Sequence, residues 1–208
     1  MKRLAIWGAG AHARVVAEAA ELSGWTPGLF DQEDARPGDP WPVLGDDQFL
    51  LQRLGEFAGV VVALGDNHQR LDWTLKLGAH GAHLATIIHP AAWVSPRARL
   101  GAGSVILAGG IVSTAARLGR AVIVNTAASV DHDDLLGDGV HIGPGARLAG
   151  HVTVGDRSWI GLGAVVREGL FLGEDVVVGA GAAVVKSVET GQTVVGVPAR
   201  PVERPSPC

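Results

Sequence analysis

The 208-residue chain holds a single cysteine, Cys208, its last residue. That excludes a disulfide framework within the chain and a cysteine-rich zinc site, and it fits a reducing compartment. A basic excess is also missing: 17 Lys and Arg stand against 21 Asp and Glu, a net charge of −4. No global positive field is present to draw in nucleic acid. No apolar run reaches membrane-spanning length, and Leu4 to Trp7 meets Gly8 too soon for the core of a signal peptide. A cytoplasmic protein with neither a nucleic-acid nor a membrane partner is expected. At 47% hydrophobic and 18% charged residues, the composition is that of a folded globular chain.

What is abundant is a period. Every sixth residue from Ile88 to Val184 is Ile, Leu or Val, over seventeen consecutive positions. Gly follows at eight of them: Gly101, Gly119, Gly137, Gly143, Gly155, Gly161, Gly173 and Gly179. Chance would place about two or three, given 30 Gly in the chain. A strict hexapeptide period over this length is the mark of a parallel β-helix. The aliphatic fills the interior, and the Gly after it is expected to turn the chain at positive φ. The fourth residue after each aliphatic is small or Val except at Asp134 and Leu170, as a tight corner requires. Three hexapeptides close a triangular coil of eighteen residues, so residue n lies under residue n+18, roughly 4.8 Å away.

The segment before the repeat reads differently. Apolar runs at Arg3–Trp7, Gly28–Asp31, Val60–Leu64 and Leu84–Ile88 alternate with three helical patterns: one with Val15, Val16, Ala19 and Leu22 on one face that ends at Gly24, one over Asp46–Phe57, and one that runs from a turn and cap at Gly65-Asp66-Asn67-His68 to about Leu77. This predicts a half-Rossmann α/β domain over residues 1–87, followed by the β-helix over 88–208. Residues 32–45 read as loop. Gly8-Ala9-Gly10-Ala11-His12-Ala13 places a G-x-G-x-x-A turn at a helix N-terminus, where a phosphate is favoured. Asp31 ends the second strand, where a ribose hydroxyl could be held. About 85 residues is too short for a dinucleotide domain plus a substrate domain, so a smaller nucleotide ligand is expected. The alternative is that the glycines serve only the turn. Gly65, Asp66, Asn67 and Arg70 fall at the same sheet edge, although Arg70 could equally be a solvated helix residue.

Within the repeat, Asp131-His132-Asp133-Asp134 puts an imidazole among three carboxylates in a coil otherwise apolar and glycine-rich. A carboxylate beside an imidazole fixes its tautomer and raises its basicity, which suits a general base. Residue 132 + 18 is Gly150, so a residue without a side chain is expected over His132, with a backbone N–H for a carbonyl oxygen. His141 falls half a coil away and could share that site only across a subunit interface. The bland reading is a solvated corner.

The chain resembles the two-domain sugar acyltransferases with a left-handed β-helix, which N-acetylate nucleotide-linked amino sugars or O-acetylate sialic acid. The likeness rests on Gly8-Ala9-Gly10-Ala11-His12, Ala63-Leu64-Gly65-Asp66-Asn67, Ile88-His89-Pro90, Val124-Asn125-Thr126, Asp131-His132-Asp133, His141-Ile142, Leu148-Ala149-Gly150 and Val195-Gly196-Val197-Pro198-Ala199-Arg200. It implies a homotrimer with acetyl-CoA between neighbouring β-helices and no metal. His132 would be the base and Asp133 its partner. His141, Gly150, Leu162 and Gly179 would contact acetyl-CoA. Gly8, Gly10, Ala11, His12, Asp31, Gln32, Gly65 and Asn67 would hold a nucleotide-sugar. Ala11, Ala13 and Gln32 depart from common family residues at the sugar-nucleotide end of the chain. Two rivals use the same scaffold: a β-helix zinc hydratase with His132, His141 and His151 meeting across an interface, and a non-catalytic nucleotide-sugar sensor or scaffold.

Overall fold

The computed structural model describes residues 2–33 and 39–202. Residues 34–38 of the expected loop, and Cys208, lie outside the described residues. Three parallel strands, β1 (Lys2–Trp7), β2 (Trp25–Phe30) and β3 (Gly59–Val62), form a sheet in the order β2-β1-β3. Helix α1 (Ala11–Leu22) covers one face, where Ala13, Val16, Ala17 and Ala20 pack on Leu4, Ile6, Leu29 and Val61. Helices α2 (Asp47–Gln52) and α3 (Asn67–Ala79) cover the other, with Leu50 and Leu77 against Ala5, Phe30, Val60 and Val62. Because both faces are buried, β1 and β3 read as apolar runs without alternation. Asp46 and Asp66 cap α2 and α3 through side-chain bonds of 2.8 Å to the N–H of Phe49 and of Gln69. The expected helix over 46–57 breaks at Arg53 and ends in a 3-10 turn over Leu54–Glu56.

The expected strand over Leu84–Ile88 is divided between two structures. Leu84 makes one parallel bridge to Val60, whereas Ile87 and Ile88 pair with Val105 and Ile106 as the first strand of the β-helix. The core is shared at this seam: Ile87, Val105 and Leu107 belong to the same buried cluster as α1. That continuity holds the sheet domain against the coil.

From there each coil takes eighteen residues. Ile123 pairs with His141, His141 with Trp159 and Trp159 with Val177 on the first face of the prism. The second face runs through Trp93, Ile111, Ser129, Arg147 and Val165. The third runs through Arg99, Arg117, Leu135, Thr153 and Phe171. Every sixth aliphatic from Ile106 to Val184 is buried in one continuous core. After Val184 the coil shortens: Val177 pairs with Thr193 and Leu172 bridges Val188, steps of sixteen rather than eighteen. An antiparallel strand, Arg200–Val202, closes the end against Thr193–Val195.

The corners correct one expectation. The left-handed residue is the third after the aliphatic, not the first. At fourteen successive corners, from Gly103 to Gly181, that third residue has positive φ. The Gly directly after the aliphatic serves close approach instead. A Cβ on Gly143 would lie 2.7 Å from the Ile160 carbonyl oxygen, and one on Gly161 would lie 2.5 Å from that of Val178. The next rung leaves no room for a side chain. Asp134 follows the inward-facing corner pattern. It is fully buried, and its oxygens accept the N–H groups of Val152 (2.8 Å) and Asp131 (2.9 Å). Ser104 and Ser158 take the N–H groups of Val122 and Val176 in the same way. A buried backbone donor is costly to leave unpaired, so a polar residue stands at these three corners.

Candidate active site

His132 sits at the corner between the second and third faces, in the turn between Ser129–Val130 and Leu135–Leu136. Its backbone N–H donates to Asp131 Oδ1 at 2.7 Å, and its carbonyl accepts the N–H of His151 at 3.0 Å. The ring lies against Gly150. A Cβ built there would come within 2.5 Å of Cε1 and Nε2, so the absence of a side chain at 150 is what lets the imidazole lie flat on the coil. Nδ1 donates to Asp133 Oδ2 at 2.9 Å, which leaves the lone pair on Nε2, the nitrogen beside Gly150. Of the three neighbouring carboxylates, Asp131 and Asp134 are engaged by backbone N–H groups, and Asp133 reaches the ring. The Asp133 hydrogen bond, followed by the charges of Asp131, Asp133 and Asp134, raises the His132 pKa above its ordinary value. The imidazole is 49% exposed in the single chain.

His141 occupies the opposite side of the prism, on the first face. It lines a cavity of about 590 Å³ between the coil and the N-terminal end of α3. Trp159 and Val177, stacked under His141 in steps of eighteen, form an apolar floor. Gly65, Asp66, Asn67 and His68 form the wall, with Arg157 and Asp175 at the rim. Asn125 fixes the His141 tautomer. Asn125 Oδ1 accepts the N–H of Thr126 at 2.8 Å, so its Nδ2 is the atom that donates to His141 Nε2 at 3.1 Å. The ring proton is therefore on Nδ1. Burial, with the charge of Arg70 added, pushes the His141 pKa down to about 3. Both effects hold His141 in its neutral form, with a donor at Nδ1.

Arg70 is the largest correction to the sequence reading. It is neither solvated nor at an open ligand edge; it is 1% exposed. Its guanidinium donates to the carbonyls of Ala121 (2.9 Å), Gly139 (2.7 Å) and Leu64 (3.1 Å), and to Asn67 Oδ1 (2.8 Å). It rivets α3 to the coil. Asn67 completes the joint, with Nδ2 donating to the carbonyls of Arg157 and Ser158. His68 Nε2 meets Asp175 Oδ1 at 2.9 Å. The seam that positions His141 is thus held by polar residues of one helical turn.

The glycine turn places Gly8, Gly10, Ala11 and His12 at the start of α1. Gly8 has φ +117°, and a Cβ there would meet the Ala63 carbonyl at 3.0 Å. Gly10 caps α1 without a side-chain bond, leaving first-turn N–H groups for a ligand or water. Asp31 holds the turn itself: Oδ2 accepts the N–H of Ala9 at 2.7 Å and Oδ1 that of Gln32 at 2.7 Å. Gln32 is exposed. The His12 pKa is lowered to about 4 by burial and by Arg70, and its Nε2 is buried with no hydrogen-bond partner. Leu162 projects into solvent from its corner, and Gly179 packs under Val195. Neither lines the cavity with His141. Among the described residues, one group has metal-ligand spacing: His132, Asp133 and His151, all exposed. His141 is not part of it. Sequence reasoning missed Trp159 and the tautomer role of Asn125; the eighteen-residue column through His141 was the available signal for Trp159.

The fold defines a class, the left-handed hexapeptide β-helix acyltransferases that carry a small α/β domain in front of the coil. Residues 3–77 match the family model described as the PglD N-terminal domain. The chain is 41% identical to the acetyltransferase domain of PglB from Neisseria gonorrhoeae FA1090, solved in complex with acetyl coenzyme A. That comparison gives a TM-score of 0.94 and covers 97% of this chain and 99% of that one. It is 40% identical to PerB from Caulobacter crescentus, solved in complex with CoA and GDP-perosamine, with a TM-score of 0.92 and 98% of each chain covered. WeeI from Acinetobacter baumannii AYE, 24% identical with a TM-score of 0.81 over 97% of this chain and all of that one, shares the fold. Comparison with curated protein sequences finds no match. The chain belongs to the β-helix sugar acetyltransferases and is an enzyme of that family.

Proposed function

We propose that the protein transfers an acetyl group from acetyl-CoA to an amino or hydroxyl group of a nucleotide-linked sugar destined for a surface glycan, with His132 as the general base. The observation that carries this reading is the His132 Nδ1–Asp133 Oδ2 bond beside a bare Gly150. It leaves one basic nitrogen facing a space where an acceptor and a thioester can meet. The acceptor attacks the thioester carbonyl carbon directly. The new C–N or C–O bond forms as the acceptor proton passes to His132 Nε2. The C–S bond then breaks, and the imidazolium returns the proton to the departing CoA sulfur. The Gly150 N–H is the donor for the developing oxyanion.

The residues present suit acetyl-CoA. The floor of Trp159 and Val177 accepts an apolar arm, and neutral His141 offers Nδ1–H to a carbonyl. Leu162 and Gly179 would lie further along the same donor. Residues 1–87 would hold the nucleotide-sugar through Gly8, Gly10, Ala11, His12, Asp31, Gln32 and Gly65, whereas the Asn67 side chain is taken up by its bonds to Arg70, Arg157 and Ser158. The buried, unpartnered Nε2 of His12 supports a ligand there, because a buried polar atom without a partner is costly. Residues 88–208 would supply catalysis. His132 and His141 lie on opposite sides of one prism, so a homotrimer joins the corner of one subunit to the first face of the next. PglB and PerB support the donor, and PerB the nucleotide-sugar.

The test is release of free CoA thiol from acetyl-CoA over a panel of GDP- and UDP-linked amino sugars, alongside thermal shifts with each sugar nucleotide. Selective binding raises the melting temperature, and transfer should follow for the sugars that bind. Binding of acetyl-CoA with no transfer to any sugar in the panel would overturn the reading in favour of a non-catalytic sensor. Stoichiometric zinc in the purified protein would favour the hydratase.

A further inference from the structure

Only four of the fourteen left-handed corners carry a side chain larger than that of alanine: Asp133, His151, Arg157 and Asp175. They form two stacked pairs, each eighteen residues apart (151 − 133 and 175 − 157). A residue with a Cβ is disfavoured at positive φ, and a large one is kept there only when its contacts compensate. For Arg157 and Asp175 the compensation is visible. The guanidinium donates to Asp175 at 3.1 and 3.0 Å, and the same corner receives His68 and Asn67 of α3.

Asp133 and His151 repeat that stacking beside His132. His151 Nε2 lies 3.8 Å from Asp133 Oδ2, the same oxygen that accepts the His132 Nδ1–H at 2.9 Å. The two imidazoles meet edge to face with centroids 5.1 Å apart. One carboxylate oxygen stands between two rings. Other charges frame the corner. Asp131 and Asp134 accept backbone N–H groups on the same turn. Gly150 contributes no side chain one coil on, and Arg167 and Glu168, two coils on, face each other at 3.9 Å. Asp133 is the carboxylate the rings share.

We propose that His151 is a positioning residue for the transfer reaction: its ring stands beside the Asp133 oxygen that holds His132 and meets the ring of the base edge to face. This rests on the reading of His132 as the general base. A positive charge on the second ring would leave Asp133 facing two cations, and it would then stabilise the His132 imidazolium less. The base then stays unprotonated to a lower pH than Asp133 alone would permit. Removing the second ring should raise the pKa of His132, and a permanent cation in its place should lower it.

The test is the acid limb of the kcat/KM profile, which reports the base of the free enzyme, in His151→Asn, His151→Gly and His151→Lys. Two unit charges 5.1 Å apart in water interact by enough to move a pKa by about half a unit. The limb should therefore rise by no more than that in the Asn and Gly variants and fall by about that much in the Lys variant. The His132 ring, followed by NMR titration, should move in the same direction. Melting temperatures serve as the check on folding, and the Gly variant relieves the corner. A merely structural His151 would change stability and leave the limb in place. Asn and Gly variants with the wild-type limb, while His132→Ala is inactive, would defeat the sharing of Asp133 and leave the base assignment standing. A fully active His132→Ala would defeat both.

Discussion

The two imidazoles that matter stand in opposite environments. His132 is half exposed, hydrogen-bonded to a carboxylate, and has a raised pKa. His141 is enclosed between coil and helix, hydrogen-bonded to an amide, and has a pKa of about 3. The same side chain has its basicity raised at one corner and lowered at the opposite side of the prism. The difference lies in the partner. Asp133 favours the charged ring, whereas Asn125, burial and the Arg70 charge favour the neutral one. A single chain cannot use both on one acetyl group, because the coil itself lies between them.

The sharpest break of that contrast is at His132. His132→Ala should lower kcat by about 10²–10⁴, the usual cost of losing general-base help, with the melting temperature nearly unchanged because the ring is exposed. His141→Ala should lose activity less steeply and weaken donor binding. Coexpressing the two variants tests whether the imidazoles act together across an interface. If each site takes His132 from one subunit and His141 from its neighbour, random assembly makes both wild-type in about a quarter of sites. Activity should recover toward that fraction. No recovery above the better single variant would mean that the two imidazoles do not share a site across an interface.

The contrast also explains what the sequence could disclose. The eighteen-residue stacking was legible because one apolar position repeats seventeen times, and simple addition placed Gly150 over His132. The turn chemistry was misassigned by two residues. Gly is common after the aliphatic for close packing, while the strained position accepts Ala115, Asp133, His151 or Arg157. The shortened final coil was hidden because the aliphatic period stops at Val184. Arg70 was hidden for a different reason. Its partners are the carbonyls of Ala121 and Gly139, and a carbonyl has no sequence signature. The His141 cavity depends on that joint, so its walls could not be drawn before the docking of α3 was known. Sites made by one coil are local arithmetic; sites made at the seam are not.

The smallest expected effect distinguishes the two rings by stability alone. His141 has a folded pKa of about 3, far below that of an unfolded histidine. As pH falls below about 6.5 the unfolded chain takes up a proton that the folded chain refuses, at about 1.4 kcal/mol per pH unit. Stability linked to His141 is therefore present above that range and is lost as pH falls toward 3. His132 has the opposite sign. Its raised pKa contributes stability at low pH, which is lost as pH rises through the folded value. Melts of the ligand-free protein at pH 7 and pH 5 should show wild type losing more stability on acidification than His141→Asn, while His132→Asn should lose at least as much as wild type. His12, with a pKa of about 4, works in the same direction as His141 and is common to all three proteins. An equal acid loss in wild type and His141→Asn would mean that the His141 ring is protonated in the fold, and its role as a neutral donor would go with it.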